Sequence, residues 1–381
     1  MTKYPKTKVL LILIIVIIIT TGCWDKVEIE DVGIVIGMSI DKLKASSDIE
    51  ITQQFINPSK EKMDNKKQYI NMTNKASTIM QAITNSYKRL AQKASYEHLG
   101  IIILGEEFAK SNLSELDIFF RTRDLRRTTT ILIARGFAKD IMDFRLEQKS
   151  IPSLYLTGIS QNSFKTNEVP QQLTLGELSK AISGRYDVLC QCINLKNKNI
   201  GDSAIIGGKD FKLKGFLNNL QTANVNFLLN NKVKGTVKIK KDKSSKTVIM
   251  EILDKEIKVS PKINNNKVNF DIKINLIGKI AENLDNEEDS FEKKYIEEIK
   301  SKMEQAVKIK ALNGFYITQK YKADIFRFWK QVEITNPEFW KKNKDNWDKI
   351  FNKATAKVTV DIKFREFGSL GSKYPKKINL N

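Results

Sequence analysis

The chain has 381 residues, with 65 Lys and Arg against 44 Asp and Glu, one His, three Cys and a net charge of +21. That length supports two or three domains with proper cores, and 41% hydrophobic with 29% charged residues excludes a largely disordered or collagen-like chain. The few soft ligands exclude a zinc-finger array, and charge carried mostly by dispersed lysine argues against base-reading of nucleic acid.

Lys3, Lys6 and Lys8 precede a run of aliphatics at 9–19 (VLLILIIVIII), and Thr20, Thr21, Gly22 and Cys23 follow before the chain turns polar at Trp24 and Asp25. Basic, then apolar, then small is the order of an export signal. The apolar run makes about 16 Å of helix, roughly half the hydrocarbon thickness, so it is short for a transmembrane span. Gly22-Cys23 fits a bacterial lipobox, in which the thiol receives diacylglycerol and cleavage ahead of it makes the cysteine the new N-terminus. Thr20 departs from the usual leucine of that signal. The other reading is an uncleaved N-terminal anchor with Cys23 as a free thiol. Both readings put the remaining chain outside the cytoplasm at a membrane, which removes nucleic acid as a partner.

Beyond Cys23 no stretch approaches the length of an apolar span. Residues 32–40 and 48–56 read as strands, and 73–92 as a helix with Ile79, Ala82, Ile83, Ser86, Tyr87 and Leu90 on one face. LGIIILG (99–105) reads as a buried strand, 106–126 as helical, 128–134 as a strand and 138–147 as a short helix. This is an α/β layer arrangement over 23–149, following a signal peptide at 1–22. Residues 150–202 read as a connecting region or small middle domain, with a capping box from Thr174 to Glu177. From 203 to 381 the pattern predicts an antiparallel sheet with helices on one face. Its strands fall at 232–240, 246–259, 268–278 and 357–366. A long helix capped by Asp289 or Ser290 carries Phe291, Tyr295, Ile299, Met303 and Ala306 or Val307 as one stripe. The expected fold class is α+β and multi-domain.

Candidate chemistry is sparse. His98, alone before an apolar strand, reads as a hydrogen-bonded structural residue, and no nucleophile elbow or paired carboxylates stand out. Cys190 and Cys192 would share one face of a strand and read as free or partly buried thiols, because a disulfide across one residue is strained and zinc lacks further ligands. GDSAIIGGKDFK (201–212) fails the phosphate-loop spacing, with Ser203 and Asp210 at key positions, and reads as a tight turn before a strand. No catalytic residue, metal site or cofactor is expected, apart from the diacylglycerol on Cys23. Arg121, Arg123, Arg126 and Arg127 form the densest guanidinium group. Read as a helix, this cluster is either a docking site for carboxylates or lipid phosphates, or a set of internal ion pairs. Phe326, Phe328, Trp329, Phe339, Trp340 and Trp347 read as core before interface.

Several blocks, in order, resemble one family. They are GCWDKVEIEDVGIVIGMSID (22–41), YEHLGIIILGEEFAK (96–110), FFRTRDLRRTTTILIARGFAKDIM (119–142), SAIIGGKDFKLKGFLN (203–218), KADIFRFWKQVEITNPEFWKKNKDNWDKIF (322–351) and VTVDIKFREFGSLG (358–371). Together they resemble the Ger(x)C spore-germination lipoproteins, the C subunits of nutrient germinant receptors. Arg327 stands where that family usually has Gly. The resemblance implies a non-enzymatic lipoprotein, anchored at Cys23 on the outer face of the inner spore membrane. It would act there with membrane-embedded A and B receptor subunits. The rival from another class is an extracytoplasmic solute-binding lipoprotein of a transporter. That protein needs a cleft between two similar lobes, whereas the lobes here read as dissimilar.

Overall fold

The computed structural model describes Leu10 and residues 31–56, 68–111, 113–122, 124–143, 151–195, 199–229, 234–240, 247–283 and 293–366. The signal segment, Cys23, Arg123 and the caps expected at Asp289 or Ser290 lie outside the described residues. Apolar runs build the first body. Strands β1 (Val32–Lys42), β2 (Ile49–Ile56) and β3 (Tyr69–Ala76) are followed by helix α1 (Ile79–Ser86) and strands β4 (Lys93–Ser95) and β5 (Ile101–Leu104). Helices α2 (Glu106–Ser111) and α3 (Asp117–Arg121) flank a 3-10 turn at Leu113–Leu116 and lead to β6 (Thr130–Ala134) and α4 (Ala138–Met142). The chain continues through α5 (Pro152–Gln161), β7 (Leu173–Thr174), α6 (Leu175–Gly184), β8 (Val188–Ile193), β9 (Asp202–Ile206) and β10 (Leu213–Leu217).

All ten strands form one sheet in the order β10-β9-β8-β6-β5-β1-β2-β3, with β4 on β1 and β7 on β6. The central strands β1, β5, β6 and β8 are parallel, and the flanking pairs are antiparallel. Central strands covered on both faces need unbroken apolar runs, which is what IIIL and TILIA supply. Ile102 and Leu104 point into a core with Phe108, Leu116 and Leu178, while Ile101 and Ile103 point into the opposite core with Ile141 and Leu156. The strands of 188–217 complete this sheet, so it runs straight through the middle region and past residue 203.

Three sequence expectations change in this body. The helix expected over 73–92 begins at Ile79, because residues 69–76 pair along their whole length with β2. Thr52 Oγ1 and Thr73 Oγ1 meet at 2.9 Å across that ladder, and Thr78 caps the helix by accepting from Gln81 N. The helix expected over 106–126 is broken into α2, a 3-10 turn and α3. The third, the helix expected over 138–147, ends at Met142. At its start Asp41, last in the first family-like block, accepts from Ala138 N at 2.7 Å and Lys139 N at 2.9 Å. Burial pushes that carboxyl up to about 6.

The second body starts with α7 (Asn219–Asn226), β11 (Gly235–Lys240), β12 (Thr247–Asn264) and β13 (Lys267–Asn283). The long helix α8 (Lys293–Lys320) follows, then α9 (Trp329–Thr335), α10 (Pro337–Asn343), α11 (Trp347–Phe351) and β14 (Thr355–Glu366). The sheet order is β11-β12-β13-β14. β12 and β13 form a long hairpin that turns at Asn265 and Asn266, whose φ of 49° and 62° suit asparagine. β14 joins β13 in parallel, unlike the all-antiparallel sheet expected, because the helical crossover returns the chain to the same end. The predicted stripe Tyr295, Ile299, Met303 and Val307 is buried against this sheet. Glu304 reaches the free edge of β14 and accepts from Ile362 N at 3.0 Å, which blunts an exposed strand edge.

Aromatic rings fill the centre of this core, as expected of the tryptophan-rich segment. Phe270 lies 5.0 Å from Phe328, 6.2 Å from Phe315 and 6.4 Å from Trp347, ring centre to ring centre. Trp329 stacks on Trp340 at 5.4 Å, and both are only partly buried at the core margin. Phe270→Ala should destabilise the protein by about 3–5 kcal/mol in urea unfolding, with Phe270→Leu costing much less.

Candidate functional site at the seam between the two sheets

The two bodies meet at residues 164–169, where Asn226 Nδ2 donates to Asn167 O and Val169 O, both at 2.9 Å, and again where three short segments converge. The first is the turn after α6, where Arg185 takes a left-handed φ of 51° and delivers Tyr186 and Asp187 to the seam. The second is the β9–β10 turn at Gly207–Lys212. The third is the turn at Tyr321–Arg327 that follows α8. Asp187 sits among them, 8% exposed. Its Oδ1 accepts from Gly208 N at 3.0 Å and from Lys214 Nζ at 2.9 Å, and its Oδ2 accepts from Asp324 N at 2.9 Å. Lys214 also donates to Lys322 O at 3.1 Å. One carboxylate thus ties all three segments together.

Asp324 repeats the device inside the second body. Its Oδ1 accepts from Phe328 N at 3.0 Å, and its Oδ2 accepts from Trp329 N and Trp347 Nε1, both at 2.9 Å. Burial pushes Asp324 up to about 6 against the pull of those donors, and burial raises Asp187 while Lys214 opposes it. Glycine is needed at 208, because a Cβ there would overlap the Tyr186 backbone. The remaining seam is apolar, with Ile205 and Leu217 of the large sheet packed on Val225, Ala323 and Ile325. Tyr321 Oη closes it by donating to Phe216 O at 2.9 Å.

Beside this junction lies a cleft of about 330 Å³. The large sheet contributes Leu173, Val188 and Leu189, and the second body contributes Leu229, Ile325 and Phe326. Gln171, Gln172, Glu177 and Arg327 supply its polar groups. Arg327 has a φ of 58°, in the left-handed region where a glycine sits without strain and other residues pay about 1 kcal/mol. Such a backbone suits the glycine that the family resemblance leads us to expect at this position. The Arg327 guanidinium instead lies over the Tyr186 ring, 3.9 Å from its centre, and bridges the two bodies.

The residues singled out from sequence are placed as follows. Arg121 pairs with Asp117 one helical turn earlier, on the exposed side of α3. Arg126 and Arg127 are exposed in the turns before β6 and are not helical, so the shared helix face expected for the cluster does not form. Cys190 and Cys192 are free, buried thiols on β8 facing one core; burial raises both, Cys192 to about 12. His98 is exposed in a turn and not packed as a structural residue. Residues 201–212 form the β9–β10 hairpin, where the turn expected there carries Gly208 to Asp187. Among the described residues no group of His, Cys, Asp and Glu could hold a metal ion, and no helix is long and apolar enough to cross a membrane. Sequence reasoning missed Asp187, Lys214 and Asp324; each is an isolated residue with no local motif. Only the glycine-to-arginine departure at 327 pointed to the cleft.

A fold of two dissimilar sheets joined by such a seam defines a class, and the comparisons identify it. Two family models match in tandem: the spore germination protein N-terminal domain over residues 25–195, and the spore germination B3/GerAC-like C-terminal domain over residues 201–368. The chain belongs to the Ger(x)C family of spore-germination proteins. Among its relatives in Bacillus subtilis (strain 168) is spore germination protein YndF, 26% identical over 95% of this chain and 96% of that protein. Another is spore germination protein B3, 28% identical over 92% of this chain and 95% of that protein. The crystal structure of the GerBC protein superposes with a TM-score of 0.59 at 23% identity, covering 86% of this chain and 97% of that one, and shows the same fold.

Two measurements probe the seam. Gly208→Ala should lower the unfolding midpoint in urea by an amount equivalent to at least about 2 kcal/mol, since backbone must move to admit the methyl group. Asp324 is raised in the folded state from 3.8 to about 6. Its contribution to stability is therefore fully present below pH 3.8 and lost as pH rises through about 6. Relative to Asp324→Asn, urea unfolding of the wild type should show stability falling across that window and flat above it.

Proposed function

We propose that this chain is the lipid-anchored C subunit of a nutrient germinant receptor, acting with membrane-embedded A and B subunits at the outer face of the inner spore membrane. The observation that carries the reading is the tandem match of both family domains, beginning at residue 25, directly after the Cys23-Trp24 pair. The apolar run ahead of Cys23 then serves as the export signal, and a diacylglycerol on Cys23 holds the chain at the bilayer. The role is non-enzymatic: binding and assembly. The Lys-rich surface favours an anionic leaflet, at about 1 kcal/mol for each basic side chain near it. On this reading the exposed Arg126 and Arg127 are offered to carboxylates or lipid phosphates of the assembled receptor.

The dissimilar sheets weigh against the transporter-associated solute-binding reading, which calls for two like lobes closing on a ligand. The ten-stranded mixed sheet and the four-stranded sheet share neither strand order nor helix arrangement.

Deleting the gene in a strain without other nutrient receptors should abolish the loss of spore refractility on nutrient, while dodecylamine still triggers it. A normal nutrient response in that strain contradicts the receptor role. Cys23→Ala should abolish incorporation of labelled palmitate and release the chain from washed membranes. Retention on membranes without label would support the uncleaved-helix reading.

A further inference from the structure

We infer that the cleft at the seam binds a small organic carboxylate with an apolar body. Among the described residues its only cationic lining group is Arg327, and that residue holds a left-handed backbone at φ 58°. A side chain kept at such a position, where glycine is unstrained, points to a use for the side chain. The guanidinium carbon lies over the Tyr186 ring, 3.9 Å from its centre, so the ring holds the group in place. No acid among the described residues forms an ion pair with it. The guanidinium N–H donors are therefore not committed to a carboxylate among the described residues, and their fork matches the two oxygens of a ligand carboxylate.

The rest of the cleft sets the class of ligand. Leu173, Val188 and Leu189 face Leu229, Ile325 and Phe326, which suits an aliphatic or aromatic body. A volume of about 330 Å³ is that of a small-molecule pocket, too small for a folded partner. Glu177 borders the cleft with one carboxylate oxygen, Oε2, engaged by Thr174 in the capping box. A second carboxylate on the ligand is disfavoured there, and an ammonium group is tolerated. Because the walls come from both bodies, occupancy tightens the seam, and a ligand stabilises the docked arrangement by its own binding free energy. The site stands apart from the receptor reading: binding is measured on the purified chain, so losing the site leaves the spore phenotype as a separate question.

The test is ligand-observed saturation-transfer NMR on the full chain in detergent micelles, with 3-methylbutanoate and its neutral counterpart 3-methylbutanamide as probes. The acid should bind at least about tenfold more tightly than the amide. Arg327→Gly should erase that preference, with an unfolding midpoint unchanged or raised, because glycine relieves the left-handed backbone. Arg327→Lys, which keeps charge without the fork, should fall between the two. Equal binding of acid and amide, undiminished acid binding by Arg327→Gly, or no transfer to the acid at millimolar concentration would overturn the assignment.

Discussion

The carboxylate of Asp187 is the buried polar joint between the two halves of the molecule. Two further segments end on its two oxygens, the β9–β10 hairpin through Gly208 N and Lys214 Nζ and the turn after α8 through Asp324 N, and so are tied to the turn after α6 that carries Asp187. A carboxylate taken from water costs several kcal/mol unless its lone pairs are filled, and here a lysine and two backbone N–H groups fill them. Removing the lysine would leave a buried charge uncompensated, which is strongly destabilising. The neighbouring contacts depend on it in turn. Asp324 is placed by its own N–H on Asp187, and from there it anchors Phe328, Trp329 and Trp347. Those residues in turn pack on Phe270 at the centre of the second core.

Elements whose pattern is carried by their own residues were legible from sequence. The buried runs of β5 and β6, the alternation of β13 and β14, the stripe of α8 and the Thr174–Glu177 cap all depend on local periodicity, and each stands where expected. The errors came where a distant partner decided the outcome. Residues 73–75 carry polar side chains compatible with a helix, but the open edge of β2 recruits them into a ladder. β14 has the same alternation in a parallel or antiparallel pair, so its direction was set by the crossover and not by its residues. The guanidinium cluster lost its common face when α3 ended at Arg121.

The candidate site was almost illegible for the same reason. Asp187, Lys214 and Asp324 are single residues, and the longest of their contacts spans 137 positions. No motif announces them. Arg327 was visible only as a departure from the glycine that the resemblance led us to expect, and the structure supplies the physics: a left-handed turn that glycine occupies freely, here taken by a side chain lying on Tyr186. Membership of the Ger(x)C family sets the biological frame. The seam adds a structural one, since both halves place backbone N–H groups on one buried carboxylate.

Tied through Asp187, the two sheets should open as one unit. Native-state hydrogen exchange in low denaturant tests it most directly, comparing slow amides of β5 and β6 with those of β13 and α8. In the wild type both sets should exchange with one common opening free energy and one denaturant dependence. In Asp187→Ala they should separate into two. Distinct opening energies for the two sheets in the wild type, or no separation in the variant, would contradict the claim.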